Sequence, residues 1–154
     1  MATDRKTSGP GGKPTSGQRA NASARRILLV GDKPVFAALR QSLLHTGESK
    51  VLGATSGGEG LRVALTALPD VILLDAELPD LDGVEVCRRL RADPLTEAIP
   101  VILFVNGSKP QLNQNALEAS AAASVPIGID TARLLNMIQM VLTMRLSRRA
   151  AARA

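Results

Sequence analysis

The chain has 154 residues, 45% of them hydrophobic, which suits one compact domain and excludes two full domains with a linker. Two Phe, no Tyr and no Trp exclude an aromatic platform for stacked bases, and a single cysteine excludes a disulfide framework or a multi-cysteine zinc site. The net charge of +5 is uneven: residues 1–26 carry +5, residues 27–142 carry −4 and residues 143–154 carry +4, so an acidic domain is expected between two basic ends.

Residues 1–26 are Gly, Pro, Ser, Thr, Lys and Arg with almost no apolar content, and read as a disordered basic tail. Ile27 to Val30 is a short apolar run ending in Gly31-Asp32, the pattern of a strand buried on both faces. Pro34 to about Thr46 reads as a helix, with Pro in its first turn and Gly47 as its stop. Lys50 to Thr55 is a short strand, and Leu61, Ala64, Leu65 and Leu68 give the helical spacing of a segment from Gly57 that Pro69 ends. Val71 to Asp75 is a second buried strand, and it also ends in aspartate. An acidic, Pro-containing loop leads to a helix over Gly83 to Ala92, a strand over Pro100 to Val105 and an Ala-rich helix over Lys109 to Ala121. A weak strand at Ala123 to Val125 precedes a long last helix, capped by Asp130 and running to Ser147 or beyond.

Strands and helices alternate five times, which argues a parallel sheet with helices on both faces. Ligand sites in such sheets lie beyond the carboxyl ends of the strands, where the winding reverses. Asp32 and Asp75 both stand at strand ends. If those strands are neighbours, the two carboxylates suit a hard cation such as Mg²⁺, and either could act as a nucleophile toward phosphorus. The plainer alternative is that each caps a following helix, which fits Asp32 better than Asp75.

The stretch from Pro69 to Leu90, PDVILLDAELPDLDGVEVCRRL, closely resembles the third strand, phosphorylation loop and third helix of response-regulator receiver domains. Ile27 to Asp32 resembles their first strand and Ile99 to Leu103 their fourth. The resemblance covers roughly 27–145 and implies a flavodoxin-like five-stranded parallel sheet of order 2-1-3-4-5. It assigns a receiver-like domain to 27–144, with an Arg-rich helix extension or tail over 145–154. It further implies that Asp75 is the phosphoacceptor, and that Asp32, Asp75 and the backbone carbonyl of Glu77 are ligands of a bound Mg²⁺.

Four positions depart from that family's pattern. Gly31 stands where receivers carry the first of two acids. Val105 replaces the Ser or Thr that ends the fourth strand, Val125 replaces the Lys before Pro126, and Ala122 replaces the switch aromatic. A phosphoryl group on Asp75 would bring about −2 charge, and these side chains offer it no cation, hydroxyl or reporting ring. The expectation is a degenerate receiver, or pseudo-receiver, with weak Mg²⁺ binding and a weakened or absent phosphorylation switch.

His45 is read as a helix-end cation, Cys87 as a core residue, and Asp80 and Asp82 as turn formers. Gly57-Gly58-Glu59-Gly60 has only a superficial likeness to a phosphate loop. Leu134, Leu135, Ile138, Val141 and Leu142 form the packing face of the last helix, and Leu134, Met137, Met140 and Met144 are the candidate partner face. In receivers the fourth helix, fifth strand and fifth helix form the usual surface for dimers and partners. With nothing after Ala154 to carry an output, the expected role is a stand-alone signalling adaptor that binds another signalling protein or a second copy of itself. The alternatives are an ordinary phosphorylatable receiver using Asp75, and binding of nucleic acid or an acidic membrane through the basic ends. No nucleophile–base pair beyond the carboxylates and no cofactor fingerprint is visible, so no enzymatic activity is expected. Lacking an apolar run of about 20 residues or an apolar N-terminal segment, the chain is expected in the cytoplasm.

Overall fold

A computed structural model of the chain describes residues 25–45, 49–105 and 121–153, with 45 and 145–153 described by backbone alone. In chain order the elements are β1 (Arg25–Val30), α1 (Pro34–His45), β2 (Ser49–Ala54), α2 (Gly57–Ala67), β3 (Val71–Asp75), α3 (Gly83–Ala92), β4 (Val101–Val105), β5 (Ala123–Pro126) and α4 (Thr131–Arg153). Residues 109–120 of the helix expected over 109–121, and most of the N-terminal tail, lie outside the described residues.

All strand pairings are parallel, in the order β2-β1-β3-β4-β5, which is the flavodoxin-like arrangement. The chain winds outward from β1 to β2, then returns to place β3 on the other side of β1. The carboxyl ends of β1 and β3 therefore flank the reversal, where a cleft opens.

The continuous apolar runs are explained by burial on both faces. Every residue of β3 and β4 is buried. Leu28, Ile72, Leu74, Val101 and Leu103 face Val84, Cys87 and Leu90 of α3 and Ala64 of α2. Ile27, Leu29, Leu73, Ile102 and Phe104 face Phe36, Leu39 and Leu43 of α1 and Leu134, Ile138 and Leu142 of α4. The alternation of successive side chains across each strand divides one run between two cores.

The start of the first strand differs from the sequence reading. Arg25 and Arg26, assigned to the tail, belong to β1 and pair with Ser49 and Lys50. Their backbone is captured despite their charge: Arg26 N donates to Asp70 Oδ2 at 2.8 Å, and its guanidinium donates to the Ala67 carbonyl. The last helix runs beyond Ser147 to Arg153, as the helical pattern of the sequence allowed. Among the described residues no helix is long and apolar enough to cross a membrane.

Candidate functional site

The site begins where β1 ends. Gly31 lies beyond the Val30–Leu74 pair, so it adjoins Asp75 across the two central strands. A Cβ on Gly31 would lie 2.6 Å from Cδ2 of Phe36. The Phe36 ring packs edge-to-face on Phe104, with centroids 5.2 Å apart, and Phe104 is the strand partner of Asp75. Glycine is thus required by the ring beside it. Gly31→Asp, which restores the acid that the resemblance implies, is expected to lower stability by about 1–3 kcal/mol through overpacking. A urea midpoint at or above that of the wild type would show that the ring yields freely.

Asp75 closes β3 and is completely buried, at 0% exposure. Its Oδ1 accepts the Glu77 backbone N–H at 2.9 Å. Its Oδ2 accepts from Lys33 Nζ at 2.5 Å, and the same ammonium donates to the Glu77 carbonyl at 3.2 Å. The Lys33 side chain is 32% exposed, so its stem runs from solvent into the cleft. The backbone behind Asp75 is fixed by Ala76 N donating to the Phe104 carbonyl and Gly83 N donating to the Ala76 carbonyl, both at 2.9 Å. A Glu77–Asp82 bridge closes the loop between them.

Asp80 has a role beyond a turn. Its Oδ1 accepts the Gly57 N–H at 2.7 Å and its Oδ2 the Gly58 N–H at 2.9 Å. Ser56 Oγ accepts Glu59 N, and the Ser56 carbonyl accepts Gly60 N. The first four N–H groups of α2 are therefore all satisfied, and the glycine-rich start carries a carboxylate of its own chain. Asp80 ties the loop after β3 to α2.

The Gly58 and Gly57 hydrogen bonds hold the Asp80 carboxyl below the usual carboxylate range. A lowered folded-state pKa gives stabilisation that is present above the unfolded value and lost as pH falls through the folded value. The wild type is therefore expected to exceed Asp80→Asn in thermal midpoint at neutral pH, and the difference should close in acid, below about pH 4. A difference that persists unchanged into strong acid would contradict the assigned ionic cap.

Val105 and Val125 are buried at the ends of β4 and β5. Val105 joins the core beneath α2 and α3, and Val125 the core beneath α1 and α4. Ala122 is exposed just before β5, its N–H donating to the Val101 carbonyl. Cys87 is buried within the α3 core; burial pushes its thiol up, with Arg91 and Arg88 pulling weakly the other way. The side chain of His45 lies outside the described residues.

The expected partner face divides. Leu134 is fully buried in the core and does not belong to it, because it lies on the sheet-facing side of α4. Met137 is half-buried against the same core, whereas Met140 and Met144 are 62% and 50% exposed.

Of the expected metal ligands, the structure brings together the Asp75 carboxylate and the Glu77 carbonyl, but on an ammonium. Asp32 is exposed and lines an open groove of about 750 Å³ with Lys33, Arg40 and Glu59. Among the described residues no three His, Cys, Asp or Glu side chains converge to hold a metal ion. With Gly31 supplying no carboxylate, Asp32 lining the open groove and the Lys33 ammonium on Asp75 Oδ2 and the Glu77 carbonyl, the donors as placed do not fit a divalent cation. Lys33 was not singled out from the sequence. Its only signal was a cation three residues past a strand whose neighbour ends in aspartate.

Residues 27–139 match the family model of the response regulator receiver domain. The chain is similar to Protein PilH of Pseudomonas aeruginosa, 40% identical over 78 residues that cover 51% of this chain and 64% of that protein. It is similar to Response regulator PleD of Caulobacter vibrioides, 42% identical over 79 residues, 51% of this chain and 17% of that one. The chain thus spans less than two thirds of either relative. The crystal structure of the receiver domain of a Pseudomonas aeruginosa sensor histidine kinase superposes with a TM-score of 0.70 at 27% identity, covering 78% of this chain and 98% of that one. That structure carries a magnesium ion coordinated in its active-site cleft.

Proposed function

The chain belongs to the response regulator receiver domain family, and from that premise we propose that it is an atypical receiver that signals through protein–protein binding, without the usual phosphorylation switch. Receiver domains are modules of two-component signalling that interact with other signalling proteins. The observation that carries the reading is the burial of Val105 and Val125, committed to the two cores at the ends of β4, which adjoins the strand of Asp75, and of β5, one strand further out. A modification shifts a conformational equilibrium only through contacts that differ between the two states. Neither valine can donate a hydrogen bond or neutralise charge, so a phosphoryl group on Asp75 would find little at those positions to reorganise.

The partner surface in this reading includes the exposed Met140 and Met144 of α4, whose flexible thioether chains adapt to a binding surface. The molecule acts on no separate substrate, and works in the cytoplasm.

Incubation with Mg²⁺ and a small-molecule phosphodonor, followed by intact-mass measurement with Asp75→Asn as control, tests the proposal. The expected result is no mass gain in a folded wild type. A gain of one phosphoryl group in the wild type alone would favour the competing reading, an ordinary receiver, which rests on the retained Asp75 carboxylate. A third reading, electrostatic attachment to nucleic acid or an acidic membrane, rests on the +3 and +4 charge of residues 1–24 and 143–154. Salt-dependent retention on DNA that disappears when residues 1–24 and 145–154 are removed would support it.

A further inference from the structure

We infer that the Lys33 ammonium is the resident cation of the Asp75 site, standing where a divalent cation would bind Asp75 and the Glu77 carbonyl and excluding it. The inference rests on the reading of Asp75 as the central carboxylate of the cleft. It does not require that the phosphorylation switch be lost.

Three observations converge on it. The ammonium donates to Asp75 Oδ2 at 2.5 Å and to the Glu77 carbonyl at 3.2 Å, the two oxygens that a cation at this place would need. Mg²⁺ binds oxygens at about 2.0–2.1 Å, so a metal and the lysine cannot share Oδ2 without bringing two cations into contact. The charge balance agrees. A fully buried carboxylate requires a partner, and Lys33 already neutralises Asp75, so that carboxylate has no unbalanced charge to offer a dication.

The third observation is the packing of Gly31. The Phe36 ring occupies the space that a second acid at Gly31 would need for its Cβ. The buried Asp75 carboxylate and the Lys33 ammonium form a neutral pair, with Asp32 exposed in the open groove, whereas a further carboxylate at residue 31 would add negative charge and favour a metal. Loss of the acid and gain of the lysine therefore work in the same direction. The loop from Asp75 to Glu77 is held in one arrangement whatever the divalent-cation concentration.

Calorimetric titration with MgCl₂ at low ionic strength tests this on the full chain. The wild type is expected to show little or no binding. Lys33→Gln should bind at least about tenfold more tightly, since a repelling charge in direct contact with the site is gone. Lys33→Gln/Asp75→Asn should lose that binding. Wild-type affinity equal to that of Lys33→Gln, and dependent on Asp75, would overturn the inference.

Should Lys33→Gln fail to fold, the wild type alone decides the matter. Mn²⁺ should leave the Asp75–Glu77 amide resonances sharp; paramagnetic broadening confined to those amides would place a metal where the lysine is assigned. The phosphodonor experiment separates this inference from the proposed function. Phosphoryl uptake that persists in the presence of a chelator would keep the resident cation and reject the lost switch. Tight wild-type Mg²⁺ binding without uptake would do the reverse.

Discussion

Gly83→Ala is expected to lower stability by about 3 kcal/mol and to displace the loop that holds Asp75. Helix propensity does not oppose the substitution, because Ala is the better helix former by about 1 kcal/mol in an interior and residue 83 is the first of α3. Sterics outweigh that gain. A Cβ at residue 83 would lie 2.2 Å from the Asp75 carbonyl oxygen and 2.7 Å from the Ala76 Cα. Both are backbone atoms, so no rotamer change relieves the clash. The backbone itself is anchored by the Phe104 carbonyl on one side and the Gly83 N–H on the other. Either α3 backs away from β3 or the end of β3 shifts, and both movements disturb the Asp75 hydrogen bonds. Urea denaturation measures the loss as a lower midpoint at an unchanged slope. Gly128→Ala serves as the control, since a Cβ there meets nothing within 4 Å and the change should stay within about 0.5 kcal/mol. Equal effects at the two glycines would show that the contact at residue 83 imposes no constraint.

Lys33→Ala should cost about 2 kcal/mol, and Asp75→Asn less than about 1 kcal/mol. The asymmetry follows from burial. Removing the lysine leaves the Asp75 carboxylate, fully buried in the wild type, with the Glu77 N–H as its remaining hydrogen-bond donor among the described residues. Breaking a buried pair in this way typically costs about 3–5 kcal/mol; the estimate is reduced because the Lys33 side chain is 32% exposed and partly solvated. Removing the charge of Asp75 instead lets the lysine return to water, and the amide oxygen can still accept from Glu77 N. The double variant should resemble Asp75→Asn, so the single effects do not add. Chemical denaturation of all four proteins gives the coupling directly. Additive losses would mean that the two residues do not act as a pair.

Much of this architecture was legible because burial on both faces of a parallel strand leaves a plain mark. Val71–Asp75 has the bounds that its apolar run suggested, and Gly83–Ala92 those suggested by its spacing and its glycine start. Edges were less legible. Arg25 and Arg26 look like tail by charge, but a strand needs only their backbone, and hydrogen bonds to Asp70 and Ala67 supply the rest. Asp80 and Lys33 were missed as site residues for a related reason. Their partners are 22 and 42 positions away, at Gly58 and Asp75, and no local periodicity encodes such distances.

By itself the sequence determined the strand–helix alternation, the two-sided burial of the central strands and the aspartate at the end of β3. These depend on hydrophobicity and spacing, which act within one element and can be read residue by residue. Only the tertiary structure decided that Lys33 meets that aspartate, that Phe36 fills the place of a second acid beside Gly31, and that Asp80 caps a helix from another loop. Each of those is a contact between segments far apart in the chain. Their geometry is set by how β1 and β3 lie side by side and how the loops cross their ends, so the charge balance of the cleft emerges only once the sheet has formed.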